Sequence, residues 1–92
     1  MIYLVSYDFG SGTLFKNRLP FYAELQRSGQ WWHFLDRTWL IYTQEPLAAV
    51  DERLRTQIDS RDRLLIVQIT NNTGGWLPAE AWQWIRERIF LP

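Results

Sequence analysis

Two side chains able to do acid-base chemistry lie inside stretches that are otherwise apolar and aromatic. Asp8 lies near the end of the segment IYLVSYDF, and His33 lies within WWHFLDRTWLIYT, residues 31–43. His33 is the only histidine of the chain, and an imidazole suits proton transfer because it titrates near neutral pH. Since polar groups are rare in these segments, we take Asp8 and His33 as the candidate catalytic residues.

Both residues also have a structural interpretation. Asp8 can accept hydrogen bonds from the loop amides of Gly10 and Ser11, as aspartates do in turns. His33 can be a hydrogen-bonded imidazole of an apolar strand, with no part in chemistry. The sequence leaves both interpretations open.

Other charged residues favour turns. The adjacent Asp36 and Arg37 are most simply an ion pair at a turn, which is worth about 0 to 1 kcal/mol if exposed. Asp59 and Asp62 lie in a short polar connector, where we expect them to cap and turn the chain and not to hold a metal.

The composition excludes several classes of protein. Ten Lys and Arg balance ten Asp and Glu, so the chain lacks the general basic field of many nucleic-acid-binding domains. The absence of cysteine excludes disulfides, thiolate zinc sites and cysteine nucleophiles. The apolar runs are too short to span a bilayer, and no secretory signal precedes the first strand. We therefore expect a cytoplasmic protein with no membrane partner.

Apolar runs predict four strands, and periodic apolar positions predict three helices. The strands are expected at residues 2–9, 31–35, 38–43 and 63–70, where β-branched and aromatic residues concentrate. The helices are expected near residues 17–28, from Pro46 to Ile58, and from Pro78 onward. Proline is tolerated in a first turn, and apolar residues recur in these segments at helical spacing.

The order of these elements predicts the fold. With 92 residues the chain can build one hydrophobic core, so we expect a single domain over residues 1–92. The order β-α-β-β-α-β followed by a helix predicts an α+β, ferredoxin-like βαββαβ sandwich, with residues 1–70 as its core and residues 76–92 as a C-terminal helical extension. Right-handed crossovers would place the first and third strands side by side and parallel, with both main helices on one sheet face.

The other sheet face then needs a cover. Along the first strand neither side is polar, with Ile2, Leu4 and Ser6 on one side and Tyr3, Val5 and Tyr7 on the other. Burying one large apolar side chain stabilises a protein by about 1.5 to 3 kcal/mol, so several left in water would remove much of a small domain's stability. We expect a homodimer formed through this face, or docking of the tryptophan-bearing C-terminal helix onto it.

Parallel central strands would also gather the polar candidates at one sheet edge. Asp8 would lie there beside Trp31, Trp32, Tyr42 and Thr43, with His33 one or two residues further in. The start of the first helix would lie above, and helix N-termini offer N–H groups to anions such as phosphate. Most tryptophans fit a core or an interface, but an exposed Trp31 or Trp32 could stack a base. The candidates for binding phosphate or nucleic acid are Ser11, Lys16, Arg18, Trp31, Trp32, Arg37 and Tyr42.

Several segments together resemble a known family. They are SYD in the first strand, the pattern GxWWHxLxxTWL from Gly29 to Leu40, IDSRDRLLIV and GWLPAEAWQWI. Over most of its length the chain resembles small bacterial and phage proteins labelled "SinR family", a label borrowed from a helix-turn-helix repressor that this chain does not look like. More distantly, the strand order and Asp8 after an aromatic residue are similar to the superfamily of VapD toxins and the second CRISPR-associated core protein, Cas-two.

The distant resemblance implies a dimeric, metal-dependent hydrolase. Asp8 would match the first-strand aspartate that, in active members, faces its twin across the dimer axis and binds a divalent metal, Mg²⁺ or Mn²⁺, for phosphodiester hydrolysis. Lys16 or Arg18 would offset the charge that develops on phosphorus. Few basic residues follow Asp8, so RNA or a short or cyclic oligonucleotide is the expected substrate, in preference to duplex DNA.

Three functions remain open from the sequence. The first is a small dimeric nuclease, linked to CRISPR or antiphage defence, that uses Asp8 with a metal or His33 without one. The second is a non-catalytic homodimer of a defence or toxin-antitoxin system that binds a protein or nucleic acid through its aromatic surface. The third is a regulator that senses a small nucleotide.

Overall fold

The computed structural model describes residues 1–10 and 18–89. They form a mixed α+β domain with one four-stranded sheet and three helices. In chain order the elements are β1 (Ile2–Asp8), α1 (Leu19–Gln26), β2 (Gln30–Leu35), β3 (Thr38–Tyr42), α2 (Leu47–Arg55), β4 (Arg63–Gln68) and α3 (Ala79–Arg88). Every element expected from the sequence is present. The helix α2 ends before the expected Ile58, which packs against the core from the turn that follows.

The strand β1 lies inside the sheet, and all of its pairings are antiparallel. The order across the sheet is β2-β3-β1-β4, and in the pairing of β1 with β3, Ile2 lies opposite Tyr42 and Ser6 opposite Thr38. The expectation of parallel first and third strands is therefore wrong. The crossover through α1 makes β2 run in the direction of β1, and the tight hairpin then reverses the chain into β3.

The helices α1 and α2 cover one face of the sheet, as expected. Alternate side chains of β1 and β3 point towards this face, while the helices contribute residues four apart, as their periods require. The buried members of this cluster are Tyr3, Val5, Tyr7, Phe21, Leu25, Trp39, Ile41, Val50 and Leu54. Within it the rings of Tyr7 and Phe21 meet edge to face, with 5.0 Å between their centroids.

The third helix covers part of the second face. Ala81 and Ile85 of α3 are buried against Ile2, Trp32 and Leu40. These strand residues lie towards the end of the sheet where β1 begins. Docking of the C-terminal helix onto the sheet is thereby confirmed, but it covers only one half of the face.

The hairpin between β2 and β3 turns at Asp36 and Arg37, as expected. Arg37 has a φ of +56°, a left-handed conformation that costs a residue with a Cβ about 1 to 2 kcal/mol. The backbone N–H of Tyr7 donates to the carbonyl oxygen of Arg37 over 3.1 Å. The turn is therefore tied to the end of β1.

The connector before β4 is held by its aspartates. The two carboxylate oxygens of Asp62 accept hydrogen bonds from the backbone N–H groups of Gly10 (2.9 Å) and Asp59 (3.0 Å). A Cβ on Gly10 would lie 2.4 Å from the carbonyl oxygen of Arg61, so the two segments approach too closely for any other residue. The interpretation of Asp59 and Asp62 as turn residues is confirmed.

Candidate functional site

Asp8 ends β1 as an exposed side chain beside two arginines. Its Oδ1 accepts a hydrogen bond from Nη1 of Arg37 over 3.1 Å, and Arg63 lies directly opposite it on β4. Because side chains alternate along a strand, Asp8 shares the sheet face of Leu4 and Ser6, which is the face that α3 partly covers. Asp8 thus lies on the uncovered half of that face.

The antiparallel sheet separates Asp8 from most of the residues expected around it. Trp31 lies opposite Ile41, and Ile41 lies opposite Tyr3, so Trp31 is level with the beginning of β1. At about 3.4 Å per residue, the two ends of β1 are roughly 20 Å apart. The expected gathering of Asp8 with Trp31, Trp32, Tyr42 and Thr43 at one edge is therefore wrong.

His33 lies on the opposite sheet face from Asp8. Its ring stacks on Trp39 with 4.1 Å between centroids and 14° between planes, and Trp39 belongs to the core under α1 and α2. The rings of Trp31 and Tyr22 also contact Trp39, at 5.0 Å and 6.1 Å. Within one subunit, His33 and Asp8 are therefore not placed to act on the same substrate atom.

The remaining candidates for phosphate binding are dispersed. Ser11 and Lys16 lie outside the described residues. Arg18 precedes α1, and its guanidinium lies over the ring of Phe9 at 3.8 Å, a cation–π contact. Tyr42 packs against the α3 cluster. Of these candidates, Arg37 is the one with a hydrogen bond to Asp8 in the part of the chain that the structure describes.

Tyr7, the neighbour of Asp8 in β1, is not available for proton transfer near neutral pH. Its hydroxyl accepts a hydrogen bond from Nε1 of Trp39 over 3.0 Å. Burial raises the pKa of Tyr7 to about 12, because the charged phenolate would lose its hydration. The hydroxyl is therefore protonated across the physiological pH range, and its role is to accept the hydrogen bond of Trp39 in the core.

The residues that the structure describes hold no group of metal ligands around Asp8. Within residues 1–10 and 18–89, no three His, Cys, Asp or Glu side chains are grouped so as to hold a metal ion. Asp8 supplies one carboxylate, and Arg37 and Arg63 are beside it. A carboxylate pair of the kind that suits Mg²⁺ or Mn²⁺ would require Asp8 from a second copy.

The uncovered half of the second sheet face exposes apolar side chains that were not among the residues expected from the sequence. Leu65 and Val67 of β4 lie opposite Ser6 and Leu4, and they are 60% and 45% exposed. Leu35, at the end of β2, is 42% exposed on the same face. Alternation in β4 was the available signal, because Leu65 and Val67 share one side of the strand. We call Ser6, Asp8, Leu35, Leu65 and Val67 the open surface.

Comparison of the chain with protein-family models, with curated proteins and with solved structures finds no match. Among the helices that the structure describes, none is long and apolar enough to cross a membrane.

Proposed function

We propose that this protein is a homodimeric binding module with the ferredoxin-like arrangement, in which two copies pair through the open surface. The proposal is supported above all by the exposure of Leu35, Leu65 and Val67 on a sheet face whose other half is buried under α3. The element order and the sheet order β2-β3-β1-β4 agree with the split βαβ arrangement.

The open surface has two features of an association surface. Neighbouring exposed apolar side chains on a small domain, as Leu65 and Val67 are on β4, mark sites of interaction, because their burial is favourable. The surface also reaches β4, which is an edge strand, and the free backbone groups of an edge favour pairing with another chain. Leu65 and Val67 project from that strand.

The charges around the open surface favour a second copy as the occupant. Asp8 is negative, and Arg37 and Arg63 beside it are positive. In a two-fold interface the same patch meets itself, so a patch that carries both signs can pair each sign with its opposite. A partner with a strongly acidic or basic surface would meet repulsion from one of the two signs.

Exposed aromatic residues would remain available for a ligand. Trp31 and Phe34 belong to β2, the edge strand opposite β4, and they are 42% and 71% exposed. Such rings stack on bases or pack against protein side chains. Binding of a nucleic acid or protein partner in a defence or toxin-antitoxin system, the second function that the sequence leaves open, is consistent with this placement.

The proposed dimer is tested by its mass in solution. Light scattering and sedimentation equilibrium at micromolar concentration should give twice the chain mass. Leu65→Asp should give a monomer, since it places a charge within the apolar contact, whereas Leu47→Asp, an exposed leucine at the start of α2, should remain dimeric. A monomeric natural protein, or equal behaviour of the two variants, would refute the proposal.

A second candidate function is phosphodiester hydrolysis at Asp8. It is favoured by the position of Asp8 on the open surface, since a two-fold pairing there can bring Asp8 near the partner's Asp8. The two carboxylates would hold Mg²⁺ or Mn²⁺, which supplies an activated water to such reactions when bound. Arg37 would then be within reach of the phosphate oxygens.

Cleavage assays separate the two candidates. Labelled RNA and cyclic oligoadenylates are incubated with the protein and Mg²⁺, Mn²⁺ or EDTA. If the second candidate is right, Asp8→Asn abolishes cleavage and EDTA does the same, while His33→Ala has little effect because His33 lies on the other sheet face. Absence of cleavage by the natural dimer leaves the binding module as the function.

A further inference from the structure

A cleft of about 290 Å³ lies on the second sheet face, between α3 and the loop that precedes it. Its floor includes Leu4 and Trp32 of the sheet, and its sides include Trp82 and Ile85 of α3. The loop residues 73–76 form its rim, ending in Trp76. All of these groups belong to one subunit, so the cleft exists without a dimer.

The lining of the cleft excludes a charged group from its interior. Every side chain that lines it is uncharged, and apart from the hydroxyl of Thr73 and the indole N–H groups these side chains are apolar. Transferring an ion from water into such a lining is strongly unfavourable without a partner of opposite sign. A ligand would have to present an uncharged, largely apolar portion.

Among the described residues, one buried donor of the cleft lining has no hydrogen-bond partner. Trp32 is 5% exposed, and its indole Nε1 has no acceptor within hydrogen-bonding distance among the described residues. A buried N–H without an acceptor costs about 1 to 3 kcal/mol. This nitrogen is closed to solvent, so the Trp32 side chain, which lines the cleft, must shift before it can donate to a molecule there. An acceptor on that molecule would then remove the penalty, which favours a ligand that carries a carbonyl oxygen or an unprotonated ring nitrogen.

The rim carries an aromatic side chain that packs on almost nothing. Trp76 is 98% exposed, although a tryptophan gains more from burial than most residues. It follows Gly74 and Gly75, and a Cβ on either glycine would meet no atom within 4 Å. Gly75 has a φ of +134°, which side-chain-bearing residues rarely adopt. The indole of Trp76 therefore offers an exposed ring face at the rim of the cleft.

We propose that this cleft binds an uncharged planar heteroaromatic ring with a hydrogen-bond acceptor, the chemical class to which nucleobases belong. The volume is ample, since a cavity of about 150 Å³ accepts a benzene ring and a purine adds one fused ring. Trp76 supplies a stacking face at the rim, and Trp32 supplies the donor. The charged phosphate of a nucleotide would remain outside, in solvent.

Calorimetric titration tests this proposal with three probes. Adenosine represents a free nucleoside, a short single-stranded oligoadenylate represents a base within a strand, and indole is a flat ring that has no strong acceptor. Adenosine should bind saturably. If the ligand is a free nucleoside, adenosine should bind as tightly as the oligonucleotide. Tighter binding of the oligonucleotide would instead show that the base belongs to a nucleic-acid strand.

Two variants with a matched control test the residues. Trp32→Phe keeps an aromatic ring and removes the donor, so adenosine should bind about fivefold to tenfold more weakly while indole is unaffected. Trp76→Ala removes the stacking face from a fully exposed position, and it should weaken both ligands about tenfold or more. Trp84→Phe, on the same helix as Trp82 but outside the cleft lining, should bind like the natural protein.

Leu35 belongs both to the cleft lining and to the open surface, so the test also uses a monomeric variant. Binding by the monomeric Leu65→Asp variant would support the cleft even where the dimer proposal fails, because Leu65 does not line the cleft. The inference is overturned if neither adenosine nor the oligonucleotide binds at millimolar concentration. It is also overturned if binding is unchanged in Trp76→Ala, a variant whose folding is secured by the exposure of that side chain.

Discussion

Asp8 and Arg37 form an ion pair that joins the end of β1 to the turn between β2 and β3, with 3.1 Å between Oδ1 and Nη1. Their side chains are 65% and 63% exposed, so solvent screens the attraction. Exposed pairs of this kind contribute about 0 to 1 kcal/mol. The pair therefore places a carboxylate and a guanidinium side by side on the surface without the fold depending on either.

Asp8→Asn should consequently change the free energy of unfolding by less than about 1 kcal/mol. The substitution removes the charge and keeps the size of the side chain. Urea denaturation followed by tryptophan fluorescence measures the effect. A loss well above that limit would mean that Asp8 has a structural role beyond its contact with Arg37, and it would complicate the use of this variant in cleavage assays.

Gly10→Ala should lower the free energy of unfolding by about 1 to 3 kcal/mol, the range found for overpacking. The added methyl would lie 2.4 Å from the carbonyl oxygen of Arg61, so the backbone segments must move apart. Gly74→Ala is the matched control, since a Cβ there meets nothing within 4 Å. It should stay within about 0.5 kcal/mol of the natural protein; similar losses in both would contradict the close approach.

Arg53→Ala should lower the free energy of unfolding by about 1.5 to 3 kcal/mol, as expected for hydrogen bonds to a charged group. The Arg53 side chain is 13% exposed. It donates to both carboxylate oxygens of Glu45 and, over 2.6 Å, to the hydroxyl of Ser28. Arg55→Ala, on the same helix but 71% exposed and paired only with Asp51 among the described residues, should cost about 0.3 to 0.5 kcal/mol.

The same arginine should set part of the acid sensitivity of the domain. The hydrogen bond from Arg53 holds the pKa of Glu45 below its ordinary value of 4.5. In the folded state Glu45 thus binds a proton less readily than in the unfolded chain, so its stabilising contribution is present above pH 4.5 and is lost as the pH falls below it. Unfolding measured from pH 7 downward should show a shallower acid loss in Arg53→Ala.

Tyr7→Phe should lower the free energy of unfolding by about 1 to 3 kcal/mol, because Nε1 of Trp39 would lose its buried acceptor. It should also remove part of the loss of stability at alkaline pH. In the folded state the pKa of Tyr7 is raised from 10.0 to about 12, so the unfolded chain loses the proton first and stability falls between these two values. The variant should lack this component, and Tyr42→Phe, whose hydroxyl bond to Gln44 is exposed, should retain it.

Periodicity was sufficient to predict the elements of the fold. The apolar spacing of Val50 and Leu54 and that of Ala81 and Ile85 match their burial on opposite sides of the sheet. The docking of α3 was also predictable, because an apolar strand face has to be covered. These features depend on local spacing, which a sequence displays directly.

Strand direction was the feature that local spacing did not provide. A pattern of period two is the same whichever way a strand runs, so the alternation in β3 does not indicate the direction of that strand. The connections decide it, and the tight turn at Asp36 and Arg37 requires β3 to run against β2. The expected site failed for this reason, since Asp8 and Tyr42 were placed at the same edge and lie at opposite ends of the sheet.

The exposure of individual tryptophans was equally hard to predict. Trp31 and Trp32 are adjacent and point to opposite faces, yet which of them is buried depends on α3, more than forty residues later. Trp76 is the same residue type as the buried tryptophans, but it follows two glycines in a loop and its side chain is exposed. Whether a single side chain is buried depends on elements that are distant in sequence. It can be predicted only when the packing partner is known.

The pairing of β1 has a consequence for how the chain reaches its native state. β1 precedes both of its hydrogen-bonding neighbours along the chain, since these are β3, residues 38–42, and β4, residues 63–68. Contacts between such distant segments slow folding, because a long loop must close before they form. During synthesis this strand stays without either neighbour until residue 42 has left the exit tunnel of the ribosome, and it acquires the second only when residue 68 has left it.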